Sequence, residues 1–290
     1  MSAGRLHRYF FAVSFHRYSR AMTAILLGPL LLLLIVAFVY PIGRFLAMSV
    51  LDPAPTLAHF QDLLDRPVYL TILIRTFRTG LVVAIATLVL GYPVAYLLSF
   101  HSGGKKNLLY QLVIIPLWVS YLVRAYAWKT ILGTDGVLNT VLQYFHLTHH
   151  PLEFLLYSPF AVVLTLTHIY TPFTFLPIFA SLEHIPRNLG EASHDLGASR
   201  VETFRRVILP LSVPGVLAGA TFAFVLSFGD FLAPLLLGGS SGIMISNIVV
   251  NLFGASYQWP LGAAISFCML ALVVLLLWVS ERLERKWAYS

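Results

Sequence analysis

The sequence has little charge and a single cysteine. Only 11% of its 290 residues are Asp, Glu, Lys or Arg, whereas about 25% is typical of soluble domains. Because Cys268 has no second cysteine to pair with, a disulfide within the chain is excluded. Hydrophobic residues make up 58% of the chain. This composition predicts an integral membrane protein, for which lipid is the main solvent.

Motifs for nucleotide binding and catalysis are missing as well. The chain has four lysines, and none completes the G-x-x-x-x-G-K-[ST] pattern that holds nucleotide phosphates. The nearest stretch, SGGKKN, lacks the leading glycine and the final hydroxyl residue. No Ser-His-Asp set or close carboxylate pair stands out. We therefore expect a non-catalytic chain without a cofactor of its own, so that ATP and Mg²⁺, if used, bind to another subunit.

Six apolar runs are long enough to cross a bilayer as helices. A spanning helix needs about 20 apolar residues, and continuous runs of this length are not the alternating ten-residue segments of a barrel. The sequence therefore predicts one all-α transmembrane domain over residues 1–290. The first run is too long for the core of a signal peptide, and we expect it to be retained. The predicted spans are 22–43, 79–100, 108–131, 158–180, 213–237 and 259–280.

Lysine and arginine are distributed unevenly between the two sides of these spans. The side with both termini carries 13 of the 19, the other side carries five, and Arg124 lies within the third span. Since cytoplasmic loops are enriched in Lys and Arg, the termini and the 181–212 loop are predicted to face the cytoplasm.

The most charged stretch lies in that loop. Residues 191–210, EASHDLGASRVETFRRVILP, contain six acidic or basic side chains. Gly197 suits the left-handed end of one helix, and Ser199-x-x-Glu202 is a capping box for the next. The pattern predicts a helix-turn-helix between spans four and five, its second helix ending at Pro210. The apolar stripe of that second helix comprises Val201, Phe204 and Ile208.

The same stretch resembles a family signature. Glu191-Ala192-Ser193, then Gly197, then Val207-Ile208-Leu209-Pro210 is similar to the EAA motif of permease subunits of type I ABC importers. In that family the loop is the coupling helix that docks onto an ATPase subunit. The resemblance therefore implies a coupling role for Glu191, Ala192, Ser193, Gly197, Leu209 and Pro210.

Three further stretches, 122–139, 228–239 and 259–264, resemble permeases of spermidine/putrescine importers of the PotB/PotH type. This resemblance implies a bacterial inner-membrane subunit that transports polyamine by alternating access. The implied partners are a second, PotC-like permease subunit, an ATPase dimer and an extracytoplasmic substrate-binding protein. Related permeases carry opines, phosphonates, iron and other small solutes, so those substrates stay open.

Two ionisable residues within the spans are candidates for the substrate path. Arg124 and Asp230 lie at a similar depth, about 10 Å from the outer ends of spans three and five. Intramembrane charges are costly and usually pair or face a cavity, so a mutual ion pair and a substrate site are both open. Polar residues of span four suit either the cavity or a helix–helix interface. The candidates are Asp230, Arg124, Tyr121, Tyr126, Trp128, His168 and Tyr170.

Other functions are weaker alternatives. His146, His149 and His150 have a spacing that suits a metal, but a metal motif needs a confirming context and none is visible, so exposed histidines without a role are the simpler explanation. A secondary transporter would show internal repeats, and no convincing repeat is visible. A membrane-anchored DNA-binding regulator would need base-reading polar residues on the second helix of the loop, which are lacking there.

Overall fold

The computed structural model describes residues 20–51, 54–100 and 103–288, and all regular structure in these ranges is helical. This confirms the predicted all-α class. The helices are α1 Arg20–Leu34, α2 Tyr40–Leu51, α3 Ala58–Asp65, α4 Pro67–Phe100, α5 Lys106–Ile114, α6 Tyr121–Leu132, α7 Val137–Tyr144, α8 Pro159–Glu183, α9 Arg187–Asp195, α10 Arg200–Thr203, α11 Leu209–Phe228, α12 Leu232–Leu237, α13 Ile245–Gly254 and α14 Trp259–Ala288.

Five helical segments of the described chain are long and apolar enough to cross a membrane. The first joins α1 to α2 through a π-helical turn, and the fourth joins α10 to α11 in the same way. A sixth span is reached if one bent pair of helices is counted as a single crossing. The five segments are Leu27–Leu51, Pro67–Phe100, Pro159–Glu183, Arg200–Phe228 and Trp259–Lys286.

The third predicted span, 108–131, is not one straight helix. Segments Gly103–Trp118 and Tyr121–Tyr144 meet at an angle of 93°. The break follows Pro116, where the chain tightens into a 3₁₀ turn and Val119 adopts an extended conformation. Proline has no N–H for a helical bond and disfavours helical geometry in the residue before it. Hydropathy predicted the apolar run but not this bend.

The fifth predicted span, 213–237, is interrupted as well. Helix α11 ends at Phe228, and α12 begins at Leu232, so Asp230 lies in the break. At the other end, the expected stop at Pro210 is wrong, since the helical path runs from Arg200 to Phe228. The π-helical turn Phe204–Ile208 directly precedes this proline, and its wider hydrogen-bond spacing accommodates a residue that has no N–H to donate.

Helix α8 lies at the centre of the bundle and packs against α4 and α11. Thr174 donates its hydroxyl hydrogen to Thr87 Oγ1 at 3.0 Å, which joins α8 to α4. A Cβ atom at Gly219 would lie 2.7 Å from the Thr174 carbonyl oxygen, so α11 approaches α8 more closely than a larger residue permits. The polar character of α8 at this level therefore serves a helix–helix interface, one of the two roles expected from the sequence.

Candidate functional sites

The turn between α9 and α10 has the predicted form. Gly197 has φ +85°, the left-handed region that residues with a Cβ rarely adopt. The N–H of Leu196 donates to the Ala192 carbonyl at 3.1 Å, and the N–H of Ala198 donates to the Ser193 carbonyl at 3.0 Å. These bonds satisfy carbonyl groups at the end of α9. The backbone, not a lack of space, requires glycine here, since no atom lies within 4 Å of a Cβ built at Gly197.

Helix α10 begins with the capping box that the sequence predicted. Ser199 Oγ accepts from the Glu202 N–H at 3.3 Å, and Glu202 Oε2 accepts from the Ser199 N–H at 3.0 Å. The hydroxyls of Ser193 and Thr203 lie 2.9 Å apart and link α9 to α10. The two helices are therefore held together as one unit, called here the coupling knob, residues 187–208.

The coupling knob exposes apolar side chains. Leu196 is 89% exposed, Val201 is 65% exposed and Leu189 is 39% exposed. The predicted stripe on the second helix is divided, because Ile208 is buried and Phe204 packs edge-on against Tyr96 at 5.5 Å. Phe204 and Ile208 therefore attach the knob to the bundle, whereas Val201 faces outward.

A groove of about 520 Å³ opens on the solvent-exposed side of the knob. Glu191, Ala192 and Leu209 are exposed, and Ser193 and Pro210 are half-buried. Of the motif residues, Ala192, Ser193 and Gly197 line this groove, whereas Glu191 lines a separate pocket beside Tyr96 and Arg187. The groove is lined by Leu189, Ala192, Ser193, Leu196, Gly197, Ala198, Glu202, Arg206 and Val207.

Asp230 lies in the break between α11 and α12 and is only 8% exposed. Its Oδ2 atom accepts hydrogen bonds from the hydroxyls of Tyr170, at 2.6 Å, and of Tyr121. Its Oδ1 atom accepts from the N–H of Ala233 at 3.0 Å, at the start of α12. The carboxylate therefore joins α6, α8 and α12.

Arg124 does not pair with Asp230. Ion pairs in the described ranges do not include one between them, so the mutual salt bridge considered from the sequence is wrong. The guanidinium instead donates to the Ile169 carbonyl at 3.3 Å. Its buried Nε atom has no hydrogen-bond partner in the described chain. The hydroxyls of Tyr121 and Tyr170 donate to Asp230 Oδ2, the carboxylate oxygen to which an arginine could otherwise donate.

Beside Arg124, α6 and α8 present an aromatic pair. The indole N–H of Trp128 donates to His168 Nδ1 at 3.1 Å, and the two rings meet edge-on at 5.6 Å. His168 is exposed although it lies on a spanning helix. Tyr126 is outside this group, since it is 49% exposed and lies under the Lys129 ammonium. Six of the seven path candidates therefore lie in two neighbouring groups. Asp230, Tyr121 and Tyr170 form the group at the break, and Arg124, Trp128 and His168 form the group between α6 and α8.

Ser246 is a site residue that the sequence did not indicate. Its hydroxyl donates to the backbone carbonyl of Asp230, which fixes the break from the side of α13. A lone serine sixteen positions away carries no pattern that identifies such a contact. No three His, Cys, Asp or Glu side chains come together in the described ranges, which include His146, His149 and His150.

A family match places this helical chain in a class of membrane transport subunits. The model of the family described as "Binding-protein-dependent transport system inner membrane component" matches residues 87–289. The chain belongs to this family, the permease subunits of ABC importers.

Three relatives show which permeases of this family the chain resembles. The chain is 36% identical to the spermidine/putrescine transport system permease protein PotB of Escherichia coli (strain K12) over 234 residues, covering 80% of this chain and 84% of PotB. It is also 36% identical to the inner membrane ABC transporter permease protein YdcU of the same organism, covering 92% of this chain and 91% of YdcU. PotB of Haemophilus influenzae (strain ATCC 51907 / DSM 11121 / KW20 / Rd) is 33% identical, over 89% of this chain and 88% of that protein.

Solved structures share the fold. A chain of a bacterial ABC transporter involved in the import of the acidic polysaccharide alginate superposes with a TM-score of 0.73 at 20% identity, covering 92% of this chain and 95% of that one. A chain of the MetNI methionine ABC transporter superposes with a TM-score of 0.59 at 19% identity, covering 75% of this chain and 95% of that one. At these identities the likeness concerns the fold alone.

Proposed function

We propose that this permease subunit forms half of the path by which an ABC importer carries a polyamine, such as spermidine or putrescine, across the inner membrane. The observation that carries the proposal is the 36% identity to PotB over 80% of the chain. The second half comes from a PotC-like permease subunit, and an extracytoplasmic binding protein delivers the substrate. The termini and the coupling knob face the cytoplasm, as the distribution of Lys and Arg favours.

The coupling knob docks onto a separate ATPase dimer that binds ATP and Mg²⁺. An exposed leucine and valine beside a groove are suited to burial in a partner, because removing apolar surface from water stabilises the contact. The internal bonds of the knob keep its shape when a force is applied to it. This chain itself needs no catalytic group or cofactor, since hydrolysis takes place on the partner.

Movement of the knob reaches the substrate path through one long helix. The helical segment Arg200–Phe228 has 29 residues and spans about 42 Å at a rise of about 1.5 Å per residue. It begins in the knob and ends directly before Asp230. ATP-driven closure of the ATPase dimer therefore shifts the break that holds Asp230, which supports alternating access.

The path candidates fit a polyamine in part. Asp230 supplies a negative charge, and Trp128 and the tyrosines supply ring faces that attract ammonium groups. Arg124 repels a polycation and suits an anionic solute instead. An ABC importer of another small solute, such as an opine, a phosphonate or iron, is therefore the second candidate. An ATP-independent secondary transporter is the weakest of the three candidates, because it has no ATPase onto which the coupling knob could dock.

Reconstitution of the complete importer tests this proposal. The chain is co-expressed with the products of neighbouring genes, purified, and placed in liposomes. ATP hydrolysis is measured with binding protein loaded with putrescine, spermidine or an anionic control solute. Stimulation by the polyamine-loaded protein alone is the expected result. Stimulation by binding protein loaded with the anionic solute would show that the substrate is an anion instead of a polyamine. If no ATPase co-purified with the chain, the importer assignment would be wrong.

A further inference from the structure

Two arginines on α4, Arg75 and Arg78, form no ion pair with an acidic residue of the described ranges. Arg75 and Arg78 are one helical turn apart, so they lie on the same side of the helix. Arg75 Nη1 donates to the Ser241 carbonyl at 2.7 Å, and Arg78 makes no hydrogen bond or ion pair within the described part of the chain. By contrast, Arg66 nearby lies 3.9 Å from Asp62.

The arginines lie at the level where a bilayer has its headgroups. Helix α4 has 34 residues, a length of about 50 Å, whereas the hydrocarbon core is about 30 Å thick. The uncharged apolar run of α4 begins at Thr79, directly after Arg78. The hydrocarbon therefore covers the part of α4 that follows, and the two guanidinium groups lie at its edge.

An exposed apolar stripe continues from Arg78 along the same face of α4. Val82, Ile85 and Val89 follow at steps of four, three and four residues, and they are 49%, 52% and 65% exposed. A shallow cleft of about 420 Å³ surrounds the arginines, with Thr71, Thr79 and Val163 in its wall. The face thus combines a cationic, hydroxyl-bearing cleft with an apolar track that extends into the membrane.

We propose that this face binds an anionic phospholipid, with its phosphate between Arg75 and Arg78 and an acyl chain along Val82, Ile85 and Val89. Guanidinium groups bind phosphate through paired, charge-assisted hydrogen bonds. Two uncompensated cations at the edge of the hydrocarbon are stabilised by such a group. The inference requires only that α4 spans the membrane, and it depends neither on the transported solute nor on which end faces the cytoplasm.

The test uses the complete importer in nanodiscs of phosphatidylcholine with or without phosphatidylglycerol. Wild type is compared with Arg78→Gln and with Arg75→Gln/Arg78→Gln, and the matched control is Arg66→Gln. Lipid retained after purification is counted by native mass spectrometry, and the melting temperature is measured in each lipid. Arg78 has no hydrogen bond or ion pair to lose among the residues that the structure describes, so Arg78→Gln is expected to fold.

The expected result is one fewer phosphatidylglycerol per permease chain in the double variant, with loss of the rise in melting temperature that this lipid causes. Arg78→Gln is expected to show the same loss in part, and Arg66→Gln is expected to match wild type. Unchanged lipid retention in the double variant would overturn the proposal. Equal stabilisation of wild type by inorganic phosphate would show a free-anion site instead. Loss of the partner permease from the double variant, with lipid retained, would show that the arginines pair with that subunit.

Discussion

Tyr170 donates its hydroxyl hydrogen to Asp230 Oδ2 at 2.6 Å, across a separation of 60 residues in the sequence. The bond connects the central helix α8 to the break between α11 and α12. Tyr121 of α6 donates to the same oxygen. The carboxylate thus determines how three helices meet, and this structural role exists whether or not Asp230 also attracts a substrate.

Removing the Tyr170 hydroxyl weakens this junction. Hydrogen bonds to charged groups contribute roughly 1.5–3 kcal/mol, so Tyr170→Phe is expected to lower stability by an amount in that range. Thermal unfolding of the purified permease in nanodiscs measures the effect. The control is Tyr126→Phe, since Tyr126 is 49% exposed and does not contact Asp230. Equal melting temperatures for the two variants would contradict the structural role.

Gly219→Val is expected to disrupt the packing of α11 against α8. The first added atom would lie 2.7 Å from the Thr174 carbonyl oxygen, closer than van der Waals contact allows. Overpacking of this kind costs typically about 1–3 kcal/mol, and the backbone oxygen has little room to move. The yield of monodisperse protein by size-exclusion chromatography checks the prediction. Gly43→Val is the control, because no atom lies within 4 Å of its Cβ position; an equal loss of yield there would refute the explanation.

Gly197→Asp is expected to separate ATP hydrolysis from transport. The left-handed backbone at φ +85° disfavours a side chain, and the new carboxylate adds charge to the docking groove. Uptake into proteoliposomes and co-purification of the ATPase subunit are the measurements. Gly104→Asp introduces the same charge at a glycine with open space and no left-handed strain, and it should behave as wild type. Normal uptake by Gly197→Asp would argue against the coupling assignment.

Leu196→Asp tests the docking surface without changing the fold. Leu196 is 89% exposed, so its replacement removes few contacts within the chain. Burial of the new carboxylate in an ATPase groove is costly, so we expect at least tenfold weaker association, measured by pull-down of the ATPase. Leu147→Asp, at another exposed leucine, is the control. Undiminished pull-down with Leu196→Asp would exclude this face as the contact.

Arg124→Gln distinguishes the two substrate classes. Arg124 has no ion-pair partner in the described ranges and lies in the same region as Asp230. Removing its charge reduces repulsion of a polycation, so the KM for polyamine uptake is expected to fall, whereas uptake of an anion would be lost. Uptake of radiolabelled putrescine by proteoliposomes measures the change. A rise in the KM for putrescine would instead indicate that Arg124 holds the path in shape.

Local features of the chain were predictable from the sequence. The capping box of Ser199 and Glu202 and the left-handed Gly197 depend on residues a few positions apart, and both are present. Four of the six predicted spans correspond to continuous helices, because an apolar run of about 20 residues is long enough to cross a bilayer as a helix, but α4 begins at Pro67, well before the predicted start at 79. The bends were missed, since hydropathy counts side chains and does not register where the backbone ladder is interrupted, after Pro116 and between Phe228 and Leu232.

The sequence alone determined the class of this protein, because the length of its apolar runs, the scarcity of charge and the loop motif depend only on the order of residues along the chain. It also identified Arg124 and Asp230 as unusual and placed them at one depth. The tertiary structure decided their partners. The depth of a residue along a helix does not specify the direction in which its side chain points. The rotation of α6 and α8 about their axes places Tyr121 and Tyr170, instead of Arg124, against the Asp230 carboxylate.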